Sequence, residues 1–377
     1  MIEFEKVLKS ERPDWVVVVG DVNAILAMLE RPFNTFKCYS YGMPGSKQIK
    51  VPQKIADKTG INFEPVFLEQ EFLDQYYENT LKASYFSNGT APVGFCNIPY
   101  TYQRLAPYSD TIVTGLFGSE ILRPLHNNGI QVNDQSYSIF LNDDLTKGIE
   151  EAIQNVEIGT YFKDDYLHHS KDALLKYFND HFFEKYKDYD KITRFFFFII
   201  QEGIRKYFSQ EISIERVYVN TRFPYFDTDL VDLIYRTPWA GMYNGFLGES
   251  KFKRRKGQLL YAHIIKKYKP VLGKIILDRG YTPDDLLLPF PYNYLKIGFG
   301  VYNAKRYMRK AGGNDTFKTE IWADSAIRKI CSLRNKFSEA TFNNDLVKLH
   351  NLKKSAGDYL TYRHMASILA FCYLFEK

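Results

Sequence analysis

"DTIVTGLFGSEILRP", residues 110–124, decides the fold. Thr111 to Thr114 is a β-rich run, Gly115, Gly118 and Ser119 supply a small-residue turn, and a helix is expected from Glu120. Strand, tight turn and helix together are how open α/β proteins build a phosphate or nucleotide site. The free N–H groups at a helix start converge on an anion. The turn from Gly115 to Ser119 is therefore the first candidate site.

Working outward, the same alternation recurs. "DWVVVV" (14–19) reads as a strand buried on both faces, with helical text from Val22 to Leu29. "TFKCYSY" (35–41) is a second strand, followed by a helix that stops at Gly60. "NFEPVFL" (62–68) is a third, "EQEFLDQYYENTLKA" (69–83) one amphipathic helix, and "DTIVT" a fourth strand. Strands alternating with helices over residues 1–125 imply a parallel sheet covered on both faces. From about residue 140 the text turns helical, as in "SKDALLKYFNDHFFEKY" and "KITRFFFFIIQEGIRKYF". The expected organisation is one domain over 1–377, with an α/β core (1–125) and a mainly helical portion (126–377).

Composition bounds the function. Of 377 residues, 45% are hydrophobic and 25% charged, which is globular text. With 29 Tyr and 30 Phe, the core should be filled by large rings. A net charge of +6 permits an anionic ligand without demanding nucleic acid, and "KFKRRK" (251–256) alone makes no basic stripe. Cys38, Cys96, Cys331 and Cys372 form no CxxC pair, which fits reduced thiols in a cytoplasmic protein. No secretory leader is read at the N-terminus. "FFFFII" and "ILAFCYLF" are far short of the ~20 apolar residues that span a bilayer. They read as buried helix, and no membrane partner is expected. His168-His169 has no Cys or Glu at ligand spacing and reads as exposed.

Four blocks, in order, resemble the synthetase half of the asparagine synthetase family. "VVVVGDVNAILAML" (16–29) stands where that family has a strand, a Ser-Gly-Gly-x-Asp-Ser loop around ATP pyrophosphate, and a helix. "YGMPGSKQIKVPQKIADKTG" (41–60) is similar to its Gly-x-x-Gly-Ser-x-Asp stretch near adenine and substrate. "TGLFGSEIL" (114–122) resembles Ser-Gly-x-Gly-x-Asp-Glu-Leu. "NTRFPYFDTDLVDLIYRTP" (220–238) resembles Glu-x-Arg-x-Pro-Phe-Leu-Asp and its helix. The resemblance implies a Rossmann-like parallel sheet, adenine nucleotide alpha hydrolase-like, with helices on both faces. It also implies an ATP-dependent, AMP-forming amide ligase that uses Mg2+. Carried over residue by residue, it implies Gly20, Asp21, Gly42, Gly45, Ser46, Thr114, Gly115 and Gly118 at the nucleotide, Asp21 on the metal, and Lys256 and Glu120 in catalysis. A small-molecule carboxylate and an amine or ammonia would be the substrates. No room for a glutaminase domain is read before the first strand: ammonia or an amine comes from elsewhere, a separate glutaminase or pathway enzyme supplies it as a partner, or the chain is no amidotransferase.

The departures sit in the same site. Val17, Val18, Val19 and Val22 replace the Ser, two Gly and final Ser of the first loop, where backbone must approach phosphate closely. Gln48 replaces an Asp, Leu116 a Glu or Tyr, Ser119 a magnesium Asp, and Asn220 a Glu, while Arg222, Pro224 and Asp227 persist. Pro224 and Asp227 would equally serve as a turn former and a helix cap. Two functions follow: a ligase with a degenerate pyrophosphate loop, or an inactive homologue acting as a binding or scaffold protein.

Overall fold

The structure is a computed structural model. It describes residues 15–17, 36–122, 133–154, 164–237, 256–277, 279–310, 329–330, 367, 370–371 and 373–374. Over the described residues the chain is α/β and mostly helical, with one small sheet.

The strands are β1 (Trp15–Val17), β2 (Lys37–Gly42), β3 (Asn62–Phe67), β4 (Thr111–Val113) and β5 (Asn220–Arg222), in the order β3-β2-β1-β4-β5. Every neighbouring pair is parallel, with Val16 beside Cys38 on one side and Val113 on the other. Because all strands point one way, all carboxyl ends lie along one edge. Only β1 to β4 fall in the residues read as the α/β core. The fifth strand comes from residues 220–222, in the portion read as mainly helical. Three residues give too little text for a period-2 pattern.

Among the helices, α1 (Lys47–Thr59) follows β2 and ends where expected, with Gly60 in the left-handed conformation. The single helix expected over residues 69–83 is instead two, α2 (Gln70–Asp74) and α3 (Tyr76–Phe86), interrupted at Gln75 (φ −92°, ψ 1°). Next come α4 (Asn97–Leu105), α5 (Gly118–Leu122), α6 (Asp134–Leu141), α7 (Leu145–Gln154) and α8 (Asp164–Phe178). A π-helical segment, Asn179–Glu184, follows α8. α9 (Lys191–Phe198) runs through a second π segment, Ile199–Phe208, into α10 (Ser209–Glu215). The last are α11 (Thr228–Tyr235), α12 (Lys256–Tyr268), α13 (Pro283–Leu286) and α14 (Tyr292–Lys310).

The chain divides into two compact units that interleave in sequence. One comprises residues 1–73, 101–123 and 218–322; the other comprises 74–100, 124–217 and 323–377. The first holds the sheet. Its core includes Tyr39, Ile112 and Val113 from the strands and Ile55 from α1, all nearly inaccessible. The second is helical and built on rings. Phe140 of α6 is ringed by Phe178, Phe182, Phe183, Phe195 and Phe198 at 4.9–5.9 Å between centroids. The "FFFF" run is thus core, as its composition suggested, with Phe195 and Phe196 buried. Glu202, in the second π segment, is nearly buried and binds Arg205 and Lys206, each at 2.8 Å. Burial pushes its carboxyl up, but hydrogen bonds from Lys206, Tyr177 and Arg205 outweigh that and hold it below the usual range.

Candidate functional site

Two glycine-bearing turns leave the carboxyl edge of the sheet, one after β2 and one after β4. These strands flank β1, so the turns lie on either side of it in the strand order.

After β2, Gly42 ends the strand and its carbonyl accepts from Leu68 N at 2.9 Å. A Cβ at Gly42 would lie 3.0 Å from both Ser46 Oγ and Gln48 Oε1, so the turn doubles back closely on the strand end. Gly45 has φ +75°, a conformation that glycine adopts without steric cost. Ser46 N donates to Met43 O at 3.0 Å, and Lys50 N donates to Ser46 O at 2.9 Å, which starts α1. Ser40 Oγ donates to Gln48 O at 2.8 Å and pins the first turn of α1 to β2. Ser46 occupies the N-cap position, yet its side chain makes no cap bond. Its buried Oγ finds no partner among the described residues. No acidic residue stands in this first turn, and Lys47 and Lys50 flank it. The field at the helix start is therefore positive.

After β4, Thr114 continues the pairing, with its N–H donating to Arg222 O at 3.0 Å. Leu116 N donates to Thr114 Oγ1 at 3.3 Å and turns the chain. Gly118 N donates to Gly115 O at 3.4 Å, and Ile121 N to Phe117 O at 2.9 Å. Phe117 carries φ +71°, in the region that a residue with a Cβ rarely adopts. Its buried ring packs on Phe223 at 5.4 Å and Phe226 at 4.7 Å, which holds it there. Gly118 has no space for a side chain: a Cβ would lie 2.8 Å from Tyr261 Oη and 3.0 Å from the Tyr225 ring. Glu120 is half-buried in α5. The helix thus starts two residues earlier than the sequence suggested, at Gly118.

The block around residue 224 plays a structural part. Pro224 opens a 3-10 turn, Pro224–Phe226. Asp227 caps α11, its carboxylate accepting from Asp229 N at 3.1 Å and Leu230 N at 3.2 Å. Asn220 donates its backbone N–H to Asp110 O at 2.7 Å.

Thus Gly42, Gly45 and Ser46 sit in one turn, Thr114 and Gly115 in the other, and Gly118 and Glu120 in the helix that follows it. Gly20 and Asp21 lie outside the described residues. Lys256 begins α12, and its side chain is likewise outside what the structure describes. The described residues include no group of three His, Cys, Asp or Glu side chains that could hold a metal ion. Cys38, in β2, is buried, and burial pushes its thiol far up, which disfavours the reactive thiolate.

No family model matches this chain, and no curated protein does either. The site must therefore be read on its own chemistry.

Sequence reasoning missed Phe117 and the tyrosines over Gly118. Nothing marks a phenylalanine for positive φ, and Tyr225 and Tyr261 reach the turn only through tertiary packing. Thr221 of β5, also buried, has an Oγ1 without a partner among the described residues. A three-residue strand gave no signal for it.

Proposed function

We propose that this chain is a divergent member of the asparagine synthetase family, with a Rossmann-like sheet and an ATP site at its carboxyl edge. One observation carries the reading. The parallel order β3-β2-β1-β4-β5 sends a glycine turn and a helix off the strand on each side of β1. In open α/β sheets, ligands bind beyond the carboxyl ends, where the strand order reverses. Here that point is β1, whose neighbours are β2 and β4.

The residues fit a nucleotide better than they fit its metal. Gly42 and Gly45 let backbone come close, and the first turn of α1 carries no acidic residue and starts beside a buried serine hydroxyl that makes no cap bond. For magnesium, Asp21 is the carboxylate the resemblance supplies, and Ser119 stands where it has a second magnesium Asp. In the ligase reading a carboxylate attacks the α-phosphorus of ATP, pyrophosphate leaves and an acyl-adenylate forms, with Lys256 balancing the phosphate charge that develops; ammonia or an amine, free or from a partner glutaminase, then displaces AMP. The cell compartment in this reading is the cytoplasm, consistent with free, buried Cys38 and Cys96.

A second reading, an inactive homologue that serves as a binding or scaffold protein, draws on a different observation. Pro224 and Asp227, two of the three residues that persist from the fourth block, are accounted for as a turn and a cap. Phe117 seals the β4 turn with a buried ring.

The deciding experiment is titration of MgATP by calorimetry, with Asp21→Ala as control, followed by a pyrophosphate-release assay over carboxylates and amines. Micromolar binding lost in the variant, with pyrophosphate released, supports the ligase. Binding without release supports the scaffold reading. Absence of binding to millimolar ATP removes the nucleotide site altogether.

A further inference from the structure

Helix α14 has two faces of different character. The inner one is committed: Ile297 is 2% exposed and packs with Ala262, Tyr281 and Leu286. Gly300 lies against the turn at Gly280, so close that a Cβ there would sit 2.3 Å from the Gly280 carbonyl oxygen. The helix is therefore not free to rotate and bury its other side.

That other side is apolar and open. Tyr292, Leu295, Phe299 and Tyr302 are 62–70% exposed, and their spacing sets them on one stripe. Phe290, just before the helix, is 78% exposed. Single exposed apolar residues need no explanation, but an aligned run of them does. The charge is one-sided as well. The helix carries Lys296, Lys305, Arg306, Arg309 and Lys310 and no acidic residue. Lys296 lies 4.0 Å from Asp285, whereas Lys305 and Arg306 are exposed and have no ion-pair partner among the described residues. Arg306 is seven residues on from Phe299 and so shares its face.

A ridge of protruding rings beside the exposed cations Lys305 and Arg306 suits a lipid interface. The rings enter among the headgroups, and the cations meet lipid phosphates and carboxylates. We propose that α14 is a peripheral docking element for an anionic membrane surface, lying in the headgroup plane with Phe290, Leu295 and Phe299 inserted. Among the described residues no helix is long and apolar enough to cross a membrane, so the attachment lies on the surface. This goes beyond the synthetase reading, does not depend on it, and runs against the sequence-based expectation of no membrane partner.

Co-sedimentation of the full chain with phosphatidylcholine vesicles, with and without phosphatidylserine, tests it. Binding should require phosphatidylserine and weaken steeply with salt. Leu295→Ser with Phe299→Ser should lower partitioning by about tenfold or more, as the lost apolar area implies. Lys305→Glu with Arg306→Glu should do the same through charge. All four positions are exposed, and circular dichroism verifies that the variants fold. The proposal is overturned if the chain stays in the supernatant with phosphatidylserine vesicles, if it binds both vesicles equally, or if the variants bind as the parent does. Sedimentation velocity provides a further arm: a dimer that Phe299→Ser dissociates would assign the face to a second copy instead.

Discussion

Phe117 shows two terms competing at one residue. Its left-handed backbone costs about 1–2 kcal/mol for a residue with a Cβ, while its buried ring contributes more than that. Phe117→Ala removes the ring and keeps the strain, so a loss of about 3–5 kcal/mol is expected. Phe117→Gly removes both and should lose about 1 kcal/mol less. Urea unfolding of the two variants tests this directly. If glycine destabilises as much as alanine, backbone strain is not what the ring is holding. At this scale the sequence was readable only in part. Gly45 and Gly118 announced a special backbone and a close approach. Phe117 could not, since nothing in its residue type asks for positive φ.

Caps make testable statements about helices. Asp227→Ala should destabilise by about 1 kcal/mol and Asp227→Asn by only a few tenths, because the amide oxygen can still accept from the first-turn N–H groups. Nucleotide binding, if present, should be unchanged in both. A large loss of binding with retained stability would instead place this aspartate at the ligand. Asp190 caps α9 in the same way and adds a pH dependence. The Thr193 hydroxyl, with backbone N–H groups of Thr193 and Ile192, outweighs slight desolvation and holds its carboxyl below the ordinary value. A depressed folded-state pKa gives stability that is fully present above the unfolded value, about 3.9, and lost as pH falls through the folded one. Thermal melts below about pH 4 should therefore fall less steeply in Asp190→Asn than in the parent. Equal slopes would mean the cap is not titrating. Helix existence was legible from apolar spacing, as in α1 and α9. The break at Gln75 and the π segments were not, because ring packing around Phe140 and local backbone choices leave no periodic trace.

For the molecule as a whole, the two units can be probed separately by their buried thiols. Cys38 belongs to the sheet-bearing unit and Cys96 to the helical one. Thiol labelling with peptide mass spectrometry should leave both unmodified in buffer. In rising denaturant, the order in which they label reports which unit opens first. Rapid labelling of Cys38 in buffer would contradict its burial. The overall class, α/β followed by helices, was legible from strand and helix alternation. The division of the chain was not, since it depends on where β5 returns. That return has a consequence for biosynthesis. Translation finishes β4 long before it reaches Asn220–Arg222, so a nascent chain first presents β4 as an unpaired parallel edge. Such an edge recruits other strands. Ribosome stalling or early termination before residue 220 should thus yield a product that aggregates, whereas a chain extended past the strand should not.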